Sequence, residues 1–226
     1  MRRQIRYTYP VLLIQAGFVS EKKYLMRIID VSADNGQINW AVVAQNADEV
    51  IIRTSIGYGD VDKNASVNAN GAAGAGMQIS YYHVAYPHAP IDPVEDATKQ
   101  AQFFLDTIST LPAAQDMVID LETKQIYSQD SYAQWLQTFV DTVEAATGKK
   151  MVIYTYADYL NRSLPDNHQF GSYPLWIANY SASGNPPLPK GWTDYYMWQY
   201  SQSGAIPGIN GNVDLSALGP NTVTGA

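Results

Sequence analysis

The sequence of 226 residues contains no cysteine and only three histidines. Without cysteine the chain can form no disulfide, has no thiol nucleophile and offers no thiolate to a zinc ion. The histidines, His83, His88 and His168, are too scattered for the familiar zinc-binding motifs. We therefore expect a protein that works without a metal or another cofactor.

Positive charge is also scarce. The chain has 14 Lys and Arg against 21 Asp and Glu, which gives a formal net charge of −7 at pH 7 and a pI near 4.8. Nucleic-acid binding needs a basic surface, so nucleic acid is not an expected partner. No apolar run is long enough to cross a bilayer, so no stable membrane anchor is expected either.

The N-terminus has a different character from the rest of the chain. The basic stretch "MRRQIR" precedes "YTYPVLLIQAGFV", an apolar segment that Pro10 and Gln15 interrupt. Residues 1–25 are therefore interpreted as a leader of uncertain role, either an imperfect export signal or an added segment. We expect a single domain over residues 26–219 and a short tail over 220–226.

Short apolar runs recur from Met26 onward, each bounded by polar or Gly/Pro-rich segments. Between several of them lie helix signals: Asp92 and Pro93 open one helix, and Ser131 and Gly148 bound a second. The alternation fades in the last third of the chain. The runs predict eight strands, over residues 27–31, 50–54, 77–83, 117–121, 151–155, 175–179, 196–200 and 213–215.

Strands that alternate with helices predict an α/β protein with a mainly parallel sheet, and eight strands favour closure into a modified (β/α) TIM-like barrel. Active sites of such barrels lie at the carboxyl ends of the strands. Polar residues are predicted at these ends, and we expect them to converge at one mouth: Asp30, Arg53, Tyr82, His83, Asp120, Glu122, Tyr154, Asn179, Tyr180, Gln199, Tyr200 and Asp214.

The stretch "VIDLE" places two carboxylates, Asp120 and Glu122, on one face at the end of a buried strand. Such a pair suits glycoside hydrolysis, which needs a proton donor and a second group that supports the developing cation. Crowded acids should also keep one proton near neutral pH. Two simpler interpretations are that Asp120 caps a turn while Glu122 pairs with Lys124 or Arg53, and that the acids bind a hard cation such as calcium, although no EF-hand loop is present.

The sequence resembles glycoside hydrolase family 25, the lysozymes common among phage endolysins and bacterial autolysins. The resemblance extends from about Arg27 to Leu218 and includes most strand ends. Ser80 departs from it, since many relatives have Gly there. The motifs that carry the resemblance occur in the expected order: "IIDVSADNGQINW", "IIRTSIGYGDVDKN", "YYHV", "VIDLE", "GKKMVIYTY", "PLWIANY", "MWQYS" and "GINGNVDL".

The resemblance implies cleavage of the β-1,4 bond between N-acetylmuramic acid and N-acetylglucosamine in bacterial peptidoglycan. By position, Glu122 would be the general acid/base, Asp120 the carboxylate that supports the reaction centre, and Asp30 and Asp214 further acids of the catalytic site. Whether Asp120 attacks the sugar carbon or orients the substrate's own N-acetyl group is left open, with the second favoured. The implied substrate-binding residues are Arg53, Tyr82, Tyr154, Trp176, Tyr180 and Gln199.

Two rival functions remain. One is a non-catalytic peptidoglycan-binding protein, which is disfavoured because all four acids are present. The other is a chitinase-like glycosidase, whose longer signature D-x-x-D-x-D-x-E is missing around "VIDLE". The expected protein is a monomer without a separate wall-binding domain. It would act at the bacterial cell wall, after secretion or after release from the host cytoplasm by a phage lysis system.

Overall fold

A computed structural model of the chain describes residues 26–124, 126–181 and 184–220. The predicted leader, 1–25, and nearly all of the predicted tail lie outside the described residues. The strands are β1 (Ile28–Val31), β2 (Glu49–Ile56), β3 (Asp60–Val61), β4 (Gln78–Val84), β5 (Met117–Asp120), β6 (Val152–Thr155), β7 (Leu175–Ala178), β8 (Met197–Gly204) and β9 (Val213–Leu218). The helices are α1 (Trp40–Val43), α2 (Ala65–Gly74), α3 (Pro93–Ile108), α4 (Gln129–Thr147) and α5 (Ala157–Ser163).

Eight of the nine strands form a closed barrel. Their order is β1-β9-β8-β7-β6-β5-β4-β2, and pairing of β1 with β2 closes the ring. The pairs from β1 through β8 are parallel, whereas β9 runs antiparallel to both β8 and β1. The short β3 pairs with β2 outside the ring. The predicted mainly parallel barrel of eight strands is therefore confirmed.

The reversed direction of β9 corrects one expectation. Asp214 was expected at the carboxyl end of its strand, but it is the second residue of β9. Because β9 is antiparallel to its neighbours, its beginning lies at the same mouth as the carboxyl ends of the other strands. Asp214 therefore reaches the predicted mouth, at the start of its strand and not at the end.

The strands divide their side chains between two cores, as the period of two requires. Ile29 and Ile119 face outward and belong to the large core between the barrel and the helices. Ile28 and Val118, one residue away, face inward and fill the middle of the barrel. Strand residues two positions further on, Asp30 and Asp120 among them, therefore also point inward. This alternation is what brings polar side chains to the mouth.

The helices cover the outside of the barrel and begin where capping side chains allow. Asp92 accepts hydrogen bonds from the backbone N–H groups of Val94 and Glu95 and opens α3, as predicted. Gly148 ends α4 with a φ of 67°, which a glycine adopts without strain. The predicted start of α4 at Ser131 is wrong: the helix begins at Gln129, because Ser128 is the residue that caps it and accepts from the Ser131 N–H.

One buried carboxyl lies at the end of the barrel opposite the mouth. Glu49, at the start of β2, is 3% exposed, and its Oε1 accepts a hydrogen bond of 2.7 Å from the Ser80 hydroxyl. The same hydroxyl accepts from the backbone N–H of Asp116 at 3.2 Å. Burial raises the pKa of Glu49 to about 7, and the charge of Asp116 adds to the shift. Ser80, which departs from the family resemblance, thus has a partner in this structure.

Glu49→Gln should stabilise the protein at high pH. A carboxyl whose pKa rises on folding contributes stability that is present below its unfolded pKa and is lost as the pH rises through its folded pKa. For Glu49 this window runs from about 4.5 to about 7. The amide keeps an acceptor for Ser80 and is never charged, so we expect the variant to exceed the wild type at pH 8.5 by up to about 3 kcal/mol, with little difference at pH 4.5.

Urea unfolding at the two pH values measures this difference. The matched control is Glu95→Gln, which removes an exposed carboxylate of α3 whose partner is Lys99. An exposed pair of this kind contributes about 0–1 kcal/mol, so the control should show no comparable gain. An equal effect of Glu49→Gln at both pH values would show that Glu49 does not titrate in this window.

Candidate active site

A cavity of about 80 Å³ opens at the mouth of the barrel. Its eight lining residues all belong to the ten site residues predicted from the sequence, and they come from seven barrel strands and the segment after β5. The remaining two, Arg53 and Tyr180, lie against members of this set. The lining residues are Asp30, Tyr82, Asp120, Glu122, Tyr154, Trp176, Gln199 and Asp214.

Asp30 and Asp214 form the closest pair of acids in the cavity. They are directly opposite each other on the antiparallel strands β1 and β9, and their side chains are hydrogen-bonded. Two carboxyls in such contact share a proton, because two like charges at this distance cannot both be present. Burial first, and then the charge of Asp214, raises the pKa of Asp30 well above its ordinary value. The pair therefore binds a proton more tightly than an isolated aspartate would.

Gln199 connects Asp30 to the aromatic side of the cavity. Its side-chain Nε2 donates to Asp30 Oδ2 at 2.8 Å, and its Oε1 accepts from the hydroxyls of Tyr154 at 2.9 Å and Tyr180 at 2.7 Å. Gln199 is 2% exposed, and its bonds to Asp30 and Tyr154 are buried, while its bond to Tyr180 is partly buried. The two tyrosine donors fix which end of the amide faces Asp30. Gln199 thereby orients the acid pair.

Asp120 and Glu122 lie on the opposite side of the cavity and differ in exposure. Asp120 ends β5, is 5% exposed, and its Oδ1 has no hydrogen-bond partner among the described residues. Burial first, and then the charge of Glu122, raises the pKa of Asp120 well above its ordinary value. Glu122 follows the strand end and keeps contact with solvent. Its pKa is also raised, by partial burial and by the charge of Asp214.

An orphaned oxygen is expensive inside a protein, since a buried polar group without a partner costs about 1–3 kcal/mol. Asp120 Oδ1 is such a group, and it lines the cavity. It is therefore available to a donor that enters from outside, such as an N–H or O–H group of a bound molecule. The arrangement combines one exposed acid of raised pKa with one buried carboxyl whose Oδ1 lacks a partner.

Aromatic rings complete the wall of the cavity. Tyr154 and Trp176 meet edge to face, with ring centroids 4.5 Å apart. The Trp176 indole N–H donates to the Ser216 hydroxyl at 3.0 Å, and the residue is 2% exposed. Trp176 therefore belongs to the floor of the cavity, while Tyr180, which is 46% exposed, stands at its rim.

Arg53 is held by two aspartates beside the cavity. Its Nε donates to Asp62 at 2.8 Å and its Nη2 to Asp34 at 3.0 Å. Within the described part of the chain, Glu122 forms an ion pair with neither Arg53 nor Lys124. The simpler interpretation of Glu122 as a partner of these cations therefore does not describe the structure. The positive charge of Arg53 nevertheless acts to lower the pKa of Asp120.

Sequence reasoning missed the residues that support the lining. Asp62 and Ser216 were not singled out, although each binds a predicted site residue, Arg53 and Trp176 respectively. Alternation along β9 places Ser216 on the same face as Asp214, but the predicted strand ended at residue 215 and left Ser216 out. His83 was expected to be a hydrogen-bonded structural residue near the mouth. It is buried and bonded to Ser55 and Gln100, but it faces outward, toward the helices.

Residues 26–124, 126–181 and 184–220 contain neither a metal-binding cluster nor a membrane-spanning helix. No group of three or more His, Asp or Glu side chains there has the arrangement of a metal site. No helix in these ranges has the length and apolar character needed to span a bilayer.

A largely parallel barrel with a cluster of acids at the carboxyl ends of its strands is an arrangement typical of glycoside hydrolases. The sequence matches the family described as "Glycosyl hydrolases family 25" over residues 29–209. This match covers well over half of the chain. The protein therefore belongs to glycosyl hydrolase family 25, as the resemblance in its strand-end motifs predicted.

Individual relatives agree with this assignment. The chain is 30% identical over 201 residues to the autolytic lysozyme of Clostridium acetobutylicum. This match covers 88% of this chain and 58% of that protein. It is 30% identical over 197 residues to lysozyme M1 of Streptomyces globisporus, covering 82% and 65%. The crystal structure of a bacterial lysozyme from Streptomyces coelicolor superimposes with a TM-score of 0.75 at 26% identity, covering 90% and 95%. The chain thus spans less than two thirds of the first two relatives.

Asp214→Asn should lower the pKa of Glu122. The charge of Asp214 is the second cause of the raised pKa of Glu122, after partial burial, and the amide removes that charge. The pKa of Asp30 should fall as well, because Asp214 raises it through its charge and its hydrogen bond. Carboxyl ¹³C NMR titration of the two side chains measures both changes.

The control for this titration is Asp106→Asn, which removes one exposed carboxylate of α3 that does not line the cavity. It should leave both pKa values in place. A pKa of Glu122 that stays constant or rises in Asp214→Asn would show that the two carboxyls do not interact through their charges.

Proposed function

We propose that this protein is an N-acetylmuramidase that hydrolyses the β-1,4 bond between N-acetylmuramic acid and N-acetylglucosamine in bacterial peptidoglycan. Glu122 is the general acid/base, and Asp120 supports the reaction centre. The observation that carries the proposal is the pairing of a solvent-accessible acid of raised pKa with a buried carboxyl that has a free oxygen, inside a family 25 barrel. The relatives named lysozyme support the same activity.

In the first half of the reaction Glu122 donates its proton to the glycosidic oxygen as the bond to the sugar carbon breaks. Partial burial and the charge of Asp214 raise the pKa of Glu122, which favours the protonated form that a general acid needs. Positive charge then develops at the sugar carbon. The acids of the cavity stabilise this charge because they are held in a site with little water.

Asp120 acts on the N-acetyl group of the sugar. Its free Oδ1 accepts the amide N–H of that group and directs the amide oxygen toward the sugar carbon, where it forms the new bond as the old one breaks. An N–H donor at this position also favours the ionised form of Asp120. Direct attack of Asp120 on the carbon is the alternative route. The first route needs the smaller movement, because Asp120 stays in place as a hydrogen-bonded carboxylate while the substrate's own N-acetyl oxygen attacks the carbon.

The second half returns the enzyme to its starting state. Glu122, now ionised, removes a proton from a water molecule, and the resulting hydroxide adds to the sugar carbon and releases the N-acetyl oxygen. The solvent contact of Glu122 lets this water reach it. Asp30, held by Gln199 and sharing a proton with Asp214, supplies the fixed polar floor below the sugar.

The same proposal defines where the protein works. Its partner is the bacterial cell wall, and the catalytic unit is the barrel over residues 26–219. Arg53, Tyr82, Tyr154, Trp176, Tyr180 and Gln199 are proposed to hold the sugar chain. Arrival at the wall by secretion or by phage-mediated release, and a monomeric state, stay predictions.

Mass spectrometry of digested peptidoglycan tests the function. We expect fragments that end in a reducing N-acetylmuramic acid, together with new reducing ends, and no reducing ends from chitin. Reducing N-acetylglucosamine ends, or equal cleavage of chitin, would replace the muramidase with a glycosidase of another specificity. Binding to peptidoglycan without any cleavage would identify a non-catalytic wall-binding protein.

Glu122→Gln should nearly abolish hydrolysis while leaving the fold and wall binding intact, because the amide keeps the shape but donates no acidic proton. General acid–base assistance is worth about 10²–10⁴-fold, so a loss below about tenfold would identify another proton donor. Asp120→Asn should also be severely impaired, since it removes the charge next to the sugar. The readouts are kcat on soluble peptidoglycan fragments and pull-down on insoluble wall.

The double variant of Glu122→Gln and Asp120→Asn tests whether the two side chains act as one unit. Residues of one catalytic unit show strongly non-additive losses, so the double variant should be little worse than the poorer single variant. Its kcat is measured beside those of the single variants. A loss equal to the product of the two single losses would show that Glu122 and Asp120 act independently.

A further inference from the structure

A second and larger cavity, of about 390 Å³, adjoins the acid-lined one. Glu122 lines both cavities, so the second begins at the proposed proton donor. Beyond Glu122 its character changes, because no other acid lines it and two cations, Lys124 and Arg162, do. Opposite charges therefore lie on the two sides of Glu122.

The walls of this cavity come from the segment after β5 and from α5. The Thr123 hydroxyl donates to the backbone carbonyl of Ala85 at 2.6 Å and fixes the turn that carries Lys124. The Gln129 side chain, in the first turn of α4, donates to the backbone carbonyl of Arg162 at 3.1 Å. These contacts hold the backbones beneath the two cations, while the charged side chains themselves are exposed.

In the part of the chain that the structure describes, neither of the two cations has a partner of opposite charge. Elsewhere in the described chain, Arg53, Lys99 and Lys190 form ion pairs. Across residues 26–124, 126–181 and 184–220, neither the Lys124 ammonium nor the Arg162 guanidinium has an ion pair or hydrogen bond. In a chain of net charge −7, two unpaired cations at one cavity favour an anionic ligand.

We propose that Lys124 and Arg162 bind carboxylates of the peptide that is attached to the glycan chain of peptidoglycan. This inference rests on the proposed function. It concerns the peptide part of the substrate, which the acid-lined cavity does not bind. N-acetylmuramic acid carries its peptide on a lactyl ether, so the peptide carboxylates are tethered to the sugar that Glu122 and Asp120 act on. The acids repel those carboxylates, and the adjoining cavity receives them.

The chemistry of the two cations suits this ligand. The planar guanidinium of Arg162 presents paired N–H donors that match the two oxygens of a carboxylate, and the Lys124 ammonium adds a point charge beside it. Both are exposed, so each contributes modestly and its contribution weakens with salt. Chitin carries no carboxylate, so the same pair would favour peptidoglycan over chitin.

The test compares Lys124→Gln and Arg162→Gln with a matched control, Arg27→Gln. Arg27 is exposed and immediately precedes β1, at the end of the barrel opposite the mouth. Two substrates are used, both cleared of phosphate-containing polymers: soluble peptide-bearing glycan chains, and the same chains after their carboxyls have been converted to amides. Melting temperatures verify that all variants are folded.

On the carboxylate chains, each cavity variant should raise KM about fivefold and leave kcat unchanged, as expected for one exposed charge-assisted bond. On the amidated chains, both variants should equal the wild type. Added salt should raise the wild-type KM on carboxylate chains and have little further effect on the variants. Arg27→Gln should match the wild type on both substrates.

The outcomes separate this inference from the function it rests on. If the wild type cleaves neither substrate, the muramidase proposal itself fails. If the wild type cleaves both while the cavity variants match Arg27→Gln, the carboxylate site alone is refuted. Equal losses on carboxylate and amidated chains would also refute it, because the cations would then not be reading carboxylates.

Discussion

The antiparallel pairing of β9 with β1 is the constraint on which the rest of the site depends. Seven strands of the ring follow the parallel rule, and the eighth enters reversed to close it. That reversal brings Asp214 directly opposite Asp30 on the inner face. Two like charges in this position oppose folding unless they share a proton. The pairing that closes the barrel therefore also raises the pKa of Asp30 and Asp214.

The proton held by Asp30 and Asp214 influences the other acids. The charge of Asp214 helps to raise the pKa of Glu122, and that of Glu122 helps to raise the pKa of Asp120. Gln199, locked by two tyrosine hydroxyls, prevents Asp30 from turning away from this arrangement. The site thus consists of coupled carboxyls whose protonation depends on one another, and it titrates as a group.

The barrel concentrates its unfavourable groups at its two ends and keeps the middle apolar. Ile28, Ile51 and Val118 fill the centre, while Glu49 lies at one end and the four acids lie at the other. At the first of these ends, the Ser80 hydroxyl donates a hydrogen bond to the Glu49 carboxyl. The mouth keeps an unbonded carboxyl oxygen on Asp120. This difference in hydrogen bonding separates the end that supports stability from the end that is available to a ligand.

The sequence alone determined the eight barrel strands, the barrel class and seven of the residues that meet in the cavity, because alternation and strand-end polarity are local properties that every strand repeats. The eighth, Trp176, came from the family resemblance. The family motifs added which acid should do what. Tertiary structure alone decided the direction of β9, the contact of Asp30 with Asp214, the partners of Gln199 and the cavity shared by Lys124 and Arg162. These features join residues far apart in the chain, and pairing across a closed ring, not local pattern, brings them together.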